Sequence, residues 1–371
     1  SMRESASFYY IVWGIILILA LYERYIKRPY RKEFVAIILM ISAVIVGCRY
    51  RVGADWANYV QFYYSGSIIG NDGYERGVEP LYVFAQTIFH GLGLTHAVFF
   101  FFLSIVTLGC YYKASKLLGI KYFMTVFFIY LSLVFLNYQF NVIRQGVMAA
   151  FVWLAFAYKA NGKYRACIVS LLIALGFHYT TIAFVPFIFL GDRRFSIFEV
   201  LVITMLSFTC LILDVSYKIL SLFPILMVLD RTSNFVTSET FYVEGGLSFG
   251  MIVMLIVFLF VYIFFRKEYV SNPRLRMLAN MILFDFMLSC MFNTFSILQE
   301  RVCRVMFFSM VFLLPLIVEK IKKSEVRAIA MTIIVIYAFS AYIKTFAIHD
   351  DGYSTLLPYE IELSQLFIGS H

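Results

Sequence analysis

Charge is scarce in this chain. Only 14% of its 371 residues are Asp, Glu, Lys or Arg, where a soluble protein carries about a quarter. So little charge cannot clothe a water-facing surface, and it excludes disorder and coiled coil as well. Cysteine is sparse and solitary. Six residues, at 48, 110, 167, 210, 290 and 303, form no Cys-x-x-Cys pair, which argues against disulfides and structural metal sites. The period-two alternation of a membrane β-barrel is missing. So is a cleavable leader, because the first apolar run lacks a basic segment before it and a small-residue cleavage site after it. Ser1-Met2 reads as the remnant of a tag.

What fills the chain is apolar. Hydrophobic residues make up 62%, including 41 Phe and 27 Tyr, and they fall in continuous runs. That pattern predicts an all-α, polytopic integral membrane protein whose helices hold about 20 apolar residues each. The net charge of +9 then reads as basic cytoplasmic loops and not as a nucleic-acid surface.

Crossing runs are expected at 8–22, 34–48, 97–112, 122–138, 142–158, 197–213, 247–265, 277–292, 302–319 and 328–346. The stretch 80–95 is short and carries Gln86 and His90, and 165–190 is interrupted at Gly176-Phe177-His178. Basic clusters arbitrate. They sit at 24–32, 113–121, 159–165, 193–194, 266–276 and 320–327. All share one side if 80–95 does not cross and 165–190 crosses twice, turning near His178. The expectation is about 12 crossings with both termini outside. Each half of 165–190 then offers about 22 Å of helix against a core of about 30 Å. The turn at His178 should therefore lie sunk below the outer surface, lining a cavity. The chain reads as a single integral-membrane domain, 1–371. Outer loops at 49–79 and 214–246 cover its site, and 347–371 forms an outer tail.

On that topology the outer face collects a distinct polar set. The first outer loop holds Arg49, Arg51, Asp55, Trp56 and Tyr59 and ends at Glu79-Pro80. The next outer turn holds Asn141, Arg144 and Gln145. His178 follows, then Arg301 and Arg304, and the tail carries Tyr359. An Arg at a membrane helix end needs a partner or a watery cavity. Guanidinium forks match phosphate oxygens, so Arg49, Arg51, Arg144, Arg301 and Arg304 are candidate ligands of a diphosphate. Trp56, Tyr59, Asn141, Gln145 and Tyr359 are candidates for a sugar, the aromatic ones offering apolar faces with polar tips. Together they describe a lipid diphosphate sugar at the outer leaflet. No Asp-x-Asp stands in an outer loop to hold a metal, and none is needed where Arg carries the diphosphate.

Plainer readings stand beside these. Arg49 and Arg51 also suit interfacial anchors whose charged heads reach water. Asp55 is expected to pair with one of them, and Arg144 equally suits a structural pair with an acid. Asp285, near mid-span, either has a buried cationic partner or lies on a conduction path. Tyr359 also fits an interface anchor.

In these residues the chain resembles the EpsG family of bacterial exopolysaccharide and capsule proteins, a group of Wzy-type repeat-unit polymerases. The family's Arg followed by Val-Gly-Thr-Asp and a Tyr resembles Arg49, Val52-Gly53-Ala54-Asp55 and Tyr59. Here Ala54 replaces the Thr, and Arg51 stands where an Asp is common. The family's Glu-Pro before a Tyr resembles Glu79-Pro80-Leu81-Tyr82. Its Asn-x-x-Arg-Gln resembles Asn141, Arg144 and Gln145, and its Phe-His-x-Thr resembles Phe177-His178-Tyr179-Thr180. Arg301 or Arg304 with Pro315, and then Pro358-Tyr359, complete the series.

The resemblance covers nearly the whole chain. It implies a GT-C-like glycosyltransferase, multi-pass in the bacterial cytoplasmic membrane. At the outer face it would transfer a growing undecaprenyl diphosphate-linked chain onto a new lipid-linked repeat unit, building exopolysaccharide, capsule or O-antigen. It implies such glycans as donor and acceptor, membrane lipid around them, and a chain-length regulator and a flippase as partner proteins. It implies no cofactor, metal or nucleic acid.

Two other functions fit in part. An O-antigen ligase shares the donor, but typically has a large late outer loop where 214–246 is modest. A lipid-sugar flippase alternates access and should show internal repeats and polar residues throughout its depth, which this sequence lacks. In a polymerase, attack opposite the departing diphosphate inverts the anomeric carbon, and one base suffices for the acceptor hydroxyl. The candidates are His178, Glu79 and Asp55. His178 leads, because an ordinary imidazole accepts a proton at neutral pH. Glu79 is placed to hold an acceptor, and Asp55 is weakened by its expected Arg partner.

Overall fold

The computed structural model describes residues 6–66, 68–69, 75–216, 218, 244–345 and 355–367. Most of the expected outer loop 214–246, part of 49–79 and part of 347–371 thus lie outside the described residues. The chain divides into two compact units, Ser1–Ile182 with Leu314–His371, and Ala183–Leu313. Among the described residues the extended pairing is limited to a two-residue ribbon, Ile68–Ile69 with Glu75–Arg76, and a bridge between Arg49 and Ile361. Among the described residues four helices are long and apolar enough to cross a membrane: Ser7–Tyr25, His96–Leu117, Ser296–Lys320 and Ser324–Thr345. Several shorter apolar helices accompany them.

In the first unit the helices are α1 (Ser7–Tyr25), α2 (Lys32–Gly47), α3 (Trp56–Ser65), α4 (Pro80–Gly91), α5 (His96–Leu117), α6 (Phe123–Tyr130), α7 (Ile143–Ala160) and α8 (Tyr164–Phe177). The late helix Ser324–Thr345 joins them. α7 is buried nearly all round, as a helix apolar on every face must be. It packs against α5 and α8, and Gly146, Ala149, Ala150, Ala155 and Ala157 let its neighbours approach closely. α1 and Ser324–Thr345 are peripheral. Their exposed residues Ile11, Ile15 and Ile18, and Ile329, Ile333 and Ile336, recur at helical spacing and form apolar outer faces. α4 has 12 residues and starts on Pro80, a residue preorganised for a helix's first position. At about 18 Å it is too short to span a core of about 30 Å.

Polar contacts tie this unit at two ends. At the first, Glu23 accepts the amides of Tyr30 and Met124 at 3.0 Å, and Glu319 accepts those of Lys121 and Tyr122 at 3.0 Å. Lys121 Nζ donates to the Lys27 carbonyl at 3.2 Å, and Asn161 to the Leu117 carbonyl at 2.8 Å. The basic clusters 24–32, 113–121, 159–165 and 320–327 share this end. At the second, Tyr9 donates to the Leu356 carbonyl at 2.5 Å and Tyr359 to the Ile45 carbonyl at 2.7 Å. Tyr9 and Glu23, both on α1, hold the two ends about 21 Å apart.

This frame positions the site. After α6 the chain runs through two π-helical turns, Leu131–Phe135 and Asn137–Asn141, a rare winding that concentrates at functional sites. α7 leaves the second end and reaches the first at Ala160. α8, packed along it, returns and delivers His178 to the end where α7 began.

In the second unit Pro273–Met291 is the buried centre, flanked by Ile197–Leu213 and Phe249–Phe264. Asn272 caps it by accepting the Arg274 and Leu275 amides, and Ser196 forms a reciprocal capping box with Glu199. A further π turn, Gln299–Cys303, carries Arg301.

Candidate active site

Arg49 follows α2 and turns inward, fully buried. Its Nε donates to the Val52 carbonyl at 3.1 Å, its Nη2 to the Phe140 carbonyl at 3.0 Å, and its Nη1 to the Val46 carbonyl. Its guanidinium lies over the Phe100 and Phe140 rings, at 5.3 and 5.2 Å. Burial pulls its pKa down to about 10, which leaves it charged at neutral pH. Its place is therefore neither at an interface nor in an open anion site: it knots the loop that follows.

That loop docks on the start of α7. Gly53 has φ +102°, and a Cβ there would stand 2.8 Å from the Phe140 carbonyl oxygen, so only glycine fits without strain. Its amide donates to the Thr355 carbonyl at 2.8 Å. The Ala54 amide donates to Asn141 Oδ1 at 2.8 Å. That contact uses the backbone, so Ala54 makes it as well as a Thr would. Arg51, at φ +55°, is exposed with its guanidinium over the Tyr50 ring at 5.0 Å.

Asp55 is half-buried beside this junction. Burial lifts its carboxyl above the ordinary carboxylate value, against the opposing pull of the Arg144 guanidinium and a hydrogen bond with Asn58. The cation that acts on Asp55 is thus Arg144 on α7, and not the expected Arg49 or Arg51. Arg49 is unavailable because three carbonyls hold it from behind.

Arg144 follows the second π turn. Its Nη1 forms an ion pair with Oε2 of Glu79, which is 2% exposed, while Arg144 keeps 20%. Tyr59 hydrogen-bonds the same guanidinium. Glu79 sits just before α4 and Tyr59 on α3, so three elements converge on one cation. Trp56, Tyr59 and Gln145 are buried. Trp56 meets Tyr50 and His96 edge-on at 5.5 and 5.8 Å. Tyr359 stacks on Phe8 at 4.0 Å while its hydroxyl holds the Ile45 carbonyl. These aromatic residues shape and fasten the site rather than present open faces.

α8 ends at Phe177, and His178 is extended, at φ −161° and ψ 128°. Gly176 permits the approach of this end to α4, for a Cβ there would stand 2.7 Å from Leu81 Cβ. Leu81 follows Glu79 by two residues, so His178 comes to the same wall as the ion pair. The Thr180 amide donates to His178 Nδ1 at 3.3 Å, and Thr180 Oγ1 lies 2.8 Å from that nitrogen. With Nδ1 accepting, the proton of the neutral ring resides on Nε2.

Arg301 and Arg304 belong to the second unit. Arg301 is half-buried on the π turn and Arg304 exposed just after it. Asp285 in that unit is fully buried. Ser289 Oγ donates to its Oδ1 at 3.4 Å, and Arg304 is the cation that acts on it. Among the described residues no three of His, Cys, Asp and Glu gather as a metal-binding group.

Sequence inspection did not reveal the convergence of Tyr59 and Glu79 on Arg144, nor the role of Asn58. Tyr59 and Asn58 do lie one helical turn beyond Asp55, where side chains share a face.

No curated protein and no solved structure matches the chain. One family model, described as EpsG family, matches residues 32–361, a span that contains every motif from Arg49 to Tyr359. The chain therefore belongs to the EpsG family, a family of Wzy-type polysaccharide polymerases embedded in the membrane.

Proposed function

We propose that this chain joins undecaprenyl diphosphate-linked oligosaccharide repeat units, at the outer face of the bacterial cytoplasmic membrane, with inversion at the anomeric carbon. One observation carries the reading: Arg144, still one-fifth exposed, is held by Glu79 and Tyr59 beside a half-buried carboxylate. A guanidinium fixed before substrate arrives stabilises charge on a departing diphosphate without reorganisation. Arg51 is the exposed cation of the first loop. His178 stands at the same wall as the ion pair. Asn141, Gln145 and the aromatic residues around them shape the sugar path.

The fold we propose is GT-C-like with about 12 crossings and both termini outside. The interrupted stretch at His178 is partly buried, and irregular backbone is tolerated where protein covers it. The tail at Tyr359 and the loop at Arg49 then share the outer face with the chemistry. A chain-length regulator and a flippase act beside it.

The test is incubation of the purified protein with purified lipid-linked repeat units. A ladder of longer lipid-linked products, formed with no other protein, is expected. Transfer only to a different acceptor points to a ligase, and movement of the lipid without bond formation points to a flippase.

A further inference from the structure

We propose that Asp55 is the catalytic base, and that the donor diphosphate switches it on by occupying Arg144. This rests on the polymerase reading above and adds to it the identity and control of the base.

Placement comes first. The Gly53 amide is fixed to the tail at Thr355 and the Ala54 amide to Asn141. The next residue, Asp55, is thereby set beside the first turn of α7, where Arg144 projects. The other two candidates are occupied. Glu79 is 2% exposed and bound to Arg144, so accepting a hydroxyl proton would break that pair. His178 is engaged at Nδ1 by the Thr180 amide and hydroxyl. Asp55 remains half-exposed, with carboxylate oxygens able to receive a proton.

Electrostatics supplies the control. The groups acting on Asp55 are few. Arg144 faces it from α7, and Asn58 hydrogen-bonds it from α3. Glu79 is tied to Arg144, Arg49 is caged by carbonyls, and Arg51 lies over Tyr50. Among the described residues Arg144 is thus the cation that favours the Asp55 carboxylate. In the free enzyme this attraction opposes the burial that raises the proton affinity of Asp55. A diphosphate on Arg144 neutralises the attraction, and Asp55 gains proton affinity when an acceptor needs it. The chemical step balances. The acceptor O–H proton moves to Asp55, the oxygen bonds the anomeric carbon, and the bond from that carbon to the diphosphate breaks. Its electron pair leaves with the lipid diphosphate held by Arg144. Asp55 then releases the proton to water.

The experiment uses the full chain in detergent or vesicles with lipid-linked repeat units as both substrates. Asp55→Asn should bind donor within about threefold of the wild type and turn over about 10²–10⁴-fold more slowly, with Asp55→Glu recovering part of the rate. The wild-type pH profile needs no variant. A base is active above its pKa, so activity falls as pH drops through it. The acid limb of kcat, which reports the donor complex, should therefore lie at higher pH than that of kcat/KM for donor, which reports the free enzyme. Near-normal turnover in Asp55→Asn, or loss of donor binding there, overturns the base assignment. Coincident limbs overturn the switch. Absence of a ladder from the wild type overturns the polymerase reading instead.

Discussion

Arg144 and Glu79 are joined in an ion pair across 65 residues of sequence. Glu79 is nearly sealed from solvent, while Arg144 keeps one edge open. Such a pair both holds structure and serves chemistry, and variants separate the two. Arg144→Ala is expected to slow ladder formation at least about 10²-fold. Arg144→Lys should not restore it, because an ammonium lacks the planar fork. Glu79→Gln removes the ion-pair partner of a half-buried cation and should lower unfolding stability by about 3–5 kcal/mol. Combining Glu79→Gln with Arg144→Met should recover stability but not activity. Recovery of both would show that the pair is only structural.

Arg49 is expected to act on stability alone. Its three carbonyl contacts use Nε, Nη1 and Nη2 and match a rigid guanidinium. An ammonium satisfies fewer of them, so Arg49→Lys should cost about 2–3 kcal/mol. Thermal unfolding in detergent reads the loss, and donor KM in the folded fraction should stay unchanged. A raised KM with an unchanged Tm would return Arg49 to the diphosphate site.

Gly53→Ala tests the docking of the loop. The new Cβ meets the Phe140 carbonyl at 2.8 Å and must sit at φ +102°, a strain of about 1–3 kcal/mol. The strain should move the backbone that sets Asp55, so kcat should fall more than stability explains. Wild-type kcat with a small drop in Tm would separate the docking from the chemistry.

Much of this site was legible as residue types, and little of it as pairings. Pro80 announced the start of α4, Gly176-Phe177-His178 announced a break, and Arg144 announced a cation in need of a partner. Each signal is local. That Glu79 and Tyr59 supply the partners depends on how α3, α4 and α7 pack, which no spacing records. Arg49 and Arg51 looked alike in sequence, yet one is caged by carbonyls and the other exposed. The cage forms only because Phe140, 91 residues away, presents its carbonyl. Tyr359 suited a sugar by type, but the tail that carries it folds back onto Phe8 and Ile45. The basic clusters were the most reliable long-range guide, since four of them meet at one end of the first unit.

Those two ends make the membrane orientation testable. Tyr9, Ile45, the loop 49–55 and the tail 355–367 are bonded to one another at one end. They must lie on the same side of the membrane, whichever side that is. Lys27, Lys121, Asn161 and Glu319 mark the other end. Positive residues near membrane helices favour the cytoplasm, so the site end is expected outside. A cysteine at 360, where Glu360 is exposed, should react with an impermeant thiol reagent in intact cells or spheroplasts. A cysteine at 323, where Lys323 is exposed, should react only after permeabilisation. The background is low, because Cys48, Cys110, Cys167, Cys290 and Cys303 are buried and Cys210 is partly covered. Labelling of 323 alone from outside would put Arg144 and Asp55 on the cytoplasmic face, where a repeat unit already carried across could not reach them. Labelling of 360 alone places the ion pair, the proposed base and the tail that braces them on the face where the lipid-linked chain grows.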